Sequence, residues 1–192
     1  MAICTASEVV NYTDIDATVS EITASGLIPI VQERVVDICF DTFTDIDISW
    51  QSKMTFNATA RTIISQTAST AWLTLGFANG DEVYVYGSHR NDGYYDVLSV
   101  SSTTMTLAVG ESVVSELSGA SIMVSLVKWP KALKYIAAQM VKFDHDDRPT
   151  RAAGLTSQSL GPRSESYAAT DTGAYGYPAD LTDALPRRVR LM

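Results

Sequence analysis

Apolar residues along this chain recur with a helical period, then with a period of two, then with a helical period again, and at last with no period. Within residues 5–43, Ile28, Val31, Val35, Ile38 and Cys39 stand three and four apart, the spacing that puts side chains on one helix face. Gln32, Glu33 and Asp37 fall largely off that stripe. Pro29 suits the first turn of such a helix; alternatively it kinks one long helix. Thr5 or Ser7 can cap a shorter helix through Val10. Thr13 or Asp14 can cap another through Ala24, with Gly26 as its stop.

From about Ile46 to Val127 the alternation is that of strands. Met54 and Phe56 alternate with polar residues, Ile63-Ile64 lies in a second short run, and Val83 and Val85 alternate with Tyr84 and Tyr86. Asn91-Asp92-Gly93 supplies a turn into Tyr94–Val100. Met105–Val109 and Ile122–Val127 are further strands, with Asn79-Gly80 and Ser118-Gly119 as punctuation. Short strands so closely spaced predict a small barrel or sandwich.

After Trp129-Pro130 the helical period returns. Leu133, Ile136, Ala137, Met140 and Val141 make one face, and Lys131, Lys134, Tyr135, Gln139 and Lys142 cover the other. Asp144 to Pro149 ends the helix. The expected fold class is therefore α+β. Residues 1–45 are N-terminal helices of a small helical bundle, 46–128 an inserted small β-barrel or sandwich, 129–147 the last core helix, and 148–192 an extended C-terminal arm.

The arm is set apart by composition. Residues 149–192 hold four of the six prolines and four of the eleven glycines, no Ile, Phe or Trp, and one Val. That does not build a core. Tyr167, Tyr175, Tyr177, Leu181 and Leu185 are nevertheless spread along it, and it closes on Arg187, Arg188 and Arg190. Aromatic and Arg anchors in a flexible segment point to one that orders on another surface; the alternative is a disordered tail with incidental aromatics. A flexible chain of that length spans on the order of 35–40 Å, far enough to reach a neighbouring molecule. Removal of Pro149–Met192 is expected to leave a folded body.

Charge narrows the classes of function. The net charge of −8 divides into −11 over residues 1–127, +3 over 128–145 and zero over 146–192. A body this acidic does not hold nucleic acid tightly, since phosphate binding needs clustered cations; it could let DNA pass without sticking. Lys131, Lys134 and Lys142 are candidates for a face that meets a neighbouring subunit or DNA, or for a solvated helix side. No apolar run is long enough to span a membrane, and no secretory signal is visible at Met1–Thr5. Cys4 and Cys39 are read as thiols of a cytoplasmic protein rather than a disulfide.

Little in the chain points to chemistry. Asp144-His145-Asp146-Asp147 carries potential metal ligands, but four adjacent residues on a helix cannot all face one ion, so a solvated helix end is expected. His89 is read as a loop residue. No nucleophile elbow or phosphate loop is present, so no catalytic residue, metal or cofactor is assigned and the chain is not expected to be an enzyme. Tyr84, Tyr86, Tyr94 and Tyr95 could instead form an aromatic platform for a host-surface glycan.

Two segments carry a resemblance to a known family. One runs from Val127-Lys128-Trp129-Pro130 through Lys131–Phe143 to Gly154-Leu155-Thr156-Ser157-Gln158-Ser159-Leu160-Gly161 and Ser164-Glu165-Ser166-Tyr167, and ends in Gly176-Tyr177-Pro178, Leu181, Leu185 and Arg187-Arg188. The other is Gly76-Phe77-Ala78-Asn79-Gly80-Asp81-Glu82-Val83 with Gly87-Ser88 and Asn91-Asp92-Gly93-Tyr94. In this order they resemble the head–tail connector (adaptor) proteins of tailed bacteriophages, although the smaller adaptors are nearly all helical and lack so large a β insertion. The resemblance implies a virion protein of the neck, assembled in the host cytoplasm as a ring of twelve copies beneath the portal. Its partners would be the portal protein, a stopper or tail-terminator protein and further copies of itself, with viral double-stranded DNA running through the lumen. Tyr167, Tyr175, Tyr177, Pro178, Leu181, Leu185, Arg187 and Arg188 would then meet portal or neighbouring subunits. A stopper or tail-completion protein is the alternative within the same class.

Overall fold

The computed structural model describes residues 2–66, 71–117, 121–147, 157–160, 163–166 and 173–186. It is a mixed α+β protein in two compact units, one spanning Thr42–Lys128 and the other made of Ala2–Asp41 with Trp129–Met192. The β unit thus interrupts the helical one.

In the helical unit three helices open the chain: α1 (Ala6–Tyr12), α2 (Val19–Ser25) and α3 (Leu27–Cys39). Thr5 and Thr18 begin the first two with the same device. Each threonine hydroxyl accepts from the backbone N–H three residues on, and Glu8 or Glu21 reaches back to the threonine's own N–H. This reciprocal cap satisfies two otherwise orphaned donors. Thr18, rather than Thr13 or Asp14, therefore starts the second helix. Gly26 lies at φ 66 between α2 and α3, a left-handed cap that glycine adopts without strain.

Val31, Val35, Ile38 and Cys39 of α3 are buried as the periodicity predicts, and so is Gln32. The Gln32 carbonyl accepts the Ile3 N–H at 3.0 Å, which places it in the core and not on the polar side. Helix α5 (Lys131–Lys142) returns the chain to this unit and packs against α1 and α3. Beyond it Phe143–Asp147 forms a widened π turn. Strands β7 (Ser157–Leu160) and β8 (Arg163–Ser166) pair antiparallel, and a final short helix α6 (Ala179–Asp183) touches α5.

The β unit is a closed antiparallel barrel, not a sandwich. Its strands are β1 (Thr44–Asn57), β2 (Thr62–Ser65), β3 (Glu82–Tyr86), β4 (Gly93–Val100), β5 (Thr104–Leu107) and β6 (Ser121–Val127), paired in the order β1-β2-β5-β4-β3-β6 and back to β1. The long β1 makes closure possible. Its first part pairs with β6 and its last residues, Met54–Asn57, with β2, with an irregularity between Asp45 and Ser49. A bulge of this kind bends a strand so that one sheet can turn a corner.

Met54, Phe56, Val83, Val85, Met105 and Leu107 point inward as the period of two predicts. A short helix α4 (Ala71–Leu75), which no pattern announced, adds Trp72, whose ring meets Phe77 edge-on at 5.4 Å. The β3–β4 connection is longer than an Asn-Asp-Gly turn. Asn91 is buried and its amide nitrogen donates to Val114 O (3.0 Å) and Glu116 Oε2 (2.9 Å), while its oxygen accepts the Val114 N–H. The loop is thereby tied to the segment that precedes β6.

Phe40 ends α3 at φ 53, ψ 37 and is 68% exposed. A bulky residue in the left-handed region is strained, and one so exposed recovers little through burial. Phe40→Gly is therefore expected to stabilise the protein by about 0.5–1 kcal/mol, read as a higher urea midpoint at unchanged slope; a lower midpoint would show that Phe40 makes a compensating contact.

Candidate functional site

The helical unit buries one polar cluster, and sequence positions more than a hundred residues apart meet in it. Arg34 and Asp37 stand three apart on α3, so they share a face. Asp144 leaves the end of α5 on the π turn. Its side chain is only 2% exposed, and an unpaired carboxylate at that depth would be strongly unfavourable.

Arg34 Nη1 donates to Asp144 Oδ2 at 2.5 Å and to Tyr177 Oη at 2.7 Å. Tyr177 O–H in turn donates to Asp144 Oδ2 at 2.7 Å. Three groups thus close a ring of hydrogen bonds around one carboxylate oxygen. Tyr175 O–H donates to Asp37 Oδ2 at 2.6 Å. The guanidinium lies over both phenol rings, 6.0 Å from the Tyr175 centroid and 5.6 Å from that of Tyr177, where ring quadrupole and cation attract. Phe143 packs on Tyr177 at 5.6 Å.

These contacts change the reading of the C-terminal segment. Tyr177 is completely buried and Leu185 nearly so, both within the helical unit of their own chain. The expectation that these anchors shelter on a different polypeptide is corrected here: the segment Gly173–Pro186 folds back on the molecule that carries it. Burying each such side chain contributes about 1.5–3 kcal/mol, and Asp144 and Arg34 need the Tyr177 hydroxyl as much as the tyrosine needs cover. Tyr175 stays half exposed, and Pro178 and Leu181 are partly covered. Tyr167, Arg187 and Arg188 lie outside the described residues.

Glycine in this segment permits close packing rather than extension. A β-carbon at Gly173 would lie 2.0 Å from Thr182 Oγ1, and Gly173 N–H donates to Tyr177 O at 2.8 Å. The segment from Gly173 to Leu185 is a small knot closed on itself.

The proposed basic face of α5 divides. Lys134 donates to Glu8 Oε1 at 2.7 Å and Lys142 pairs with Asp14, so both lysines hold the N-terminal segment to α5 within one chain. Lys131 and Tyr135 remain exposed. Asp144, expected at a solvated helix end, is buried, while His145 Nδ1 lies 2.6 Å from Asp146 Oδ1 in a partly exposed pair. Among the described residues no group of three His, Cys, Asp or Glu is placed to hold a metal ion, and no helix is long and apolar enough to cross a membrane. Cys4 and Cys39 are both buried, and burial, with Glu8 nearby, pushes the Cys4 thiol up to about 12.

On the barrel, Tyr84 and Tyr94 are cross-strand partners on the outer face with ring centroids 4.8 Å apart, and Tyr86 is exposed on the same side. Tyr95 points inward and donates to Asn91 O, so the expected quartet is a trio. His89 is a loop residue as expected; its backbone N–H donates to Glu116 Oε1.

No protein-family model matches this chain, and a search of curated proteins finds no match either.

Sequence reasoning missed Arg34 and its partnership with Asp144 and Tyr177. A faint signal existed: Arg34 is the single Lys or Arg in residues 1–52, and a solitary cation in an acidic helical segment implies a dedicated partner.

Burial, and next the hydrogen bond to Asp144, push the Tyr177 phenol up to about 12. Its folded pKa stands above the unfolded value near 10, so its contribution is complete below pH 10 and is lost as pH climbs through the folded value. Tyr177→Phe is expected to cost about 1–3 kcal/mol, because it leaves Asp144 with one donor fewer. It should also reduce the alkaline loss of stability between pH 10 and 12 by the share Tyr177 carries, followed by tyrosinate absorbance beside urea melts.

Acid acts elsewhere. Burial alone would raise Glu8, but the Lys134 hydrogen bond and the Thr5 cap outweigh it and hold the carboxyl below 4.5; Lys142 first of all holds Asp14 below 3.8. Both groups have depressed folded pKa values, so their support is complete above the unfolded values and is lost as pH falls through the folded ones. The α1 amides should then exchange faster on acidification, with Glu8→Gln removing most of that pH dependence.

Proposed function

We propose that this chain is a structural interaction protein of the head–tail adaptor type, forming a ring beneath the portal of a tailed bacteriophage and joining it to a stopper or tail while viral DNA passes through the lumen. The observation that carries this reading is the placement of the two resembling segments on the fold. Val127-Lys128-Trp129-Pro130 is the joint where the chain leaves the barrel unit and re-enters the helical unit through α5. Gly76 to Tyr94 contains β3 and the start of β4, within an otherwise self-contained barrel. A helical body interrupted by an independently closed barrel is consistent with an adaptor that carries a large insertion.

The net charge of −11 over residues 1–127 adds support, since an acidic surface lets DNA slide past. The reading no longer leans on a free arm. Tyr177 and Leu185 serve their own chain, so removing Pro149–Met192 is now expected to unsettle the helical unit as well as any docking. We read the protein as non-enzymatic, at home in the virion neck. Tyr175, Tyr135 and Lys131 are its exposed candidates for contact with portal or with neighbouring copies.

Native mass measurement of the full chain, alone and mixed with the portal of the same virus, tests the proposal. Single chains alone and a closed multi-copy ring on the portal are expected; absence of any portal complex would refute it, and a ring that forms only on an already occupied portal would favour a stopper.

The Tyr84–Tyr94 pair with exposed Tyr86 supports a second reading, a barrel that stacks a sugar ring. Glycan-array binding lost on Tyr86→Ala, with portal association intact, would favour it.

A further inference from the structure

The cleft made by Arg34, Asp37, Phe143 and Asp144 has the features of a ligand site that is already filled. It offers a carboxylate to each of two phenols, a guanidinium lying over both rings, and an aromatic wall. The occupant is a short stretch, Tyr175-Gly176-Tyr177-Pro178, which meets the cleft through the hydroxyls and rings of Tyr175 and Tyr177. We propose that this cleft is a peptide-binding site for a Tyr-Gly-Tyr-Pro segment, that its resident ligand is the chain's own segment Gly173–Pro186, and that the resident is exchangeable for the same sequence supplied from another molecule.

Three observations carry the exchange. First, the occupant is a unit by itself. Gly173 N–H to Tyr177 O, Gly176 N–H to Gly173 O, Thr182 N–H to Pro178 O and Leu185 N–H to Thr182 O all close within the segment, so it can lift without dismantling α3 or α5. Second, the segment is seated under strain. Tyr175 holds φ 57, ψ 18 inside a helical turn, a left-handed conformation unfavourable for an aromatic residue. Tyr175 keeps it while half exposed, with its hydroxyl on Asp37.

Third, the cleft residues are carried by elements other than the segment. Arg34 and Asp37 are set by α3, and Phe143 and Asp144 by the end of α5, two helices that pack directly on each other. Tyr177, Thr182 and Leu185 are buried, but a segment whose backbone bonds are local can open as a unit of its own, below global unfolding. An opened cleft presents Asp144 and Arg34 to any peptide that restores the missing phenol. The inference rests on the helical unit alone and would stand whether or not the chain is a connector.

The test uses the full-length chain and a fluorescent synthetic peptide, Gly173–Pro186. Hydrogen exchange should show the amides of Gly176, Thr182 and Leu185 opening at least tenfold faster than interior amides of α3 and α5. The peptide should bind the Tyr177→Ala chain at least tenfold more tightly than the unaltered chain, whose cleft is occupied. A peptide with alanine at the position of Tyr177 should not bind either. Excess unlabelled peptide should speed exchange of the resident segment in the unaltered chain.

Should Tyr177→Ala fail to fold, Gly173→Val replaces it, since a side chain there collides with Thr182 and dislodges the segment while every cleft residue stays. Segment amides that exchange only at the rate of α3 and α5 would overturn the proposal. So would absence of peptide binding to a folded opened chain. Collapse of both variants would do the same, because the segment would then be an integral wall and not a ligand.

Discussion

A single buried carboxylate organises the helical unit. Asp144 sits where water cannot reach it, and its ionised form is tolerable only because a guanidinium from α3 and a phenol from the C-terminal segment converge on the same oxygen. Each partner belongs to a different stretch of chain. Satisfying the charge therefore brings the N-terminal helices, the end of α5 and the residues after Gly173 into one unit. Dispersion between Phe143 and Tyr177 and the guanidinium over two rings add to that convergence, but they need no particular registry. The charge does, because its removal from water is affordable only at hydrogen-bond distance.

The barrel solves a different problem with different means. Six short strands have edges that would otherwise pair with other chains, and closure abolishes them. One strand long enough to serve two neighbours, bent at a bulge, makes the closure possible with so few strands. The interior is then filled by Met, Val, Leu and Phe, with Trp72 contributed from a single turn of helix. The buried cluster that fills it is drawn entirely from residues of the barrel unit.

For function, the useful consequence is a division of labour among the tyrosines. Tyr177 is internal, Tyr175 sits at the boundary, and Tyr84, Tyr86 and Tyr94 line the outside of the barrel. An interaction protein needs exposed aromatic positions on a rigid support, and Tyr86 and Tyr135 meet that description better than the buried anchors do. The adaptor reading therefore shifts its weight from a free arm to the surfaces of two folded units.

Periodicity alone specified much of this architecture. The stripe of Val31, Val35 and Ile38, the alternation through Val83 and Val85, and the return of helical spacing at Leu133 and Val141 are local patterns, and local geometry obeys them. The start of α2 was not legible in the same way: Thr13 and Asp14 were the expected caps, and the helix begins instead at Thr18 with its reciprocal Glu21 cap. Composition described residues 149–192 as a segment poor in core-forming residues. It could not show that Tyr177 and Leu185 would be admitted to a core built by other residues, because burial of a side chain depends on what stands opposite in space. Gln32, Asp144, Lys134 and Lys142 were misjudged for the same reason. A polar residue reads as solvated until a partner more than a hundred positions away removes the cost of burying it, and no periodicity carries that information. The order of the elements and their inward faces were thus determined by sequence; the pairing of charges, the closure of the barrel and the cover over the last tyrosine were decided only when distant segments met.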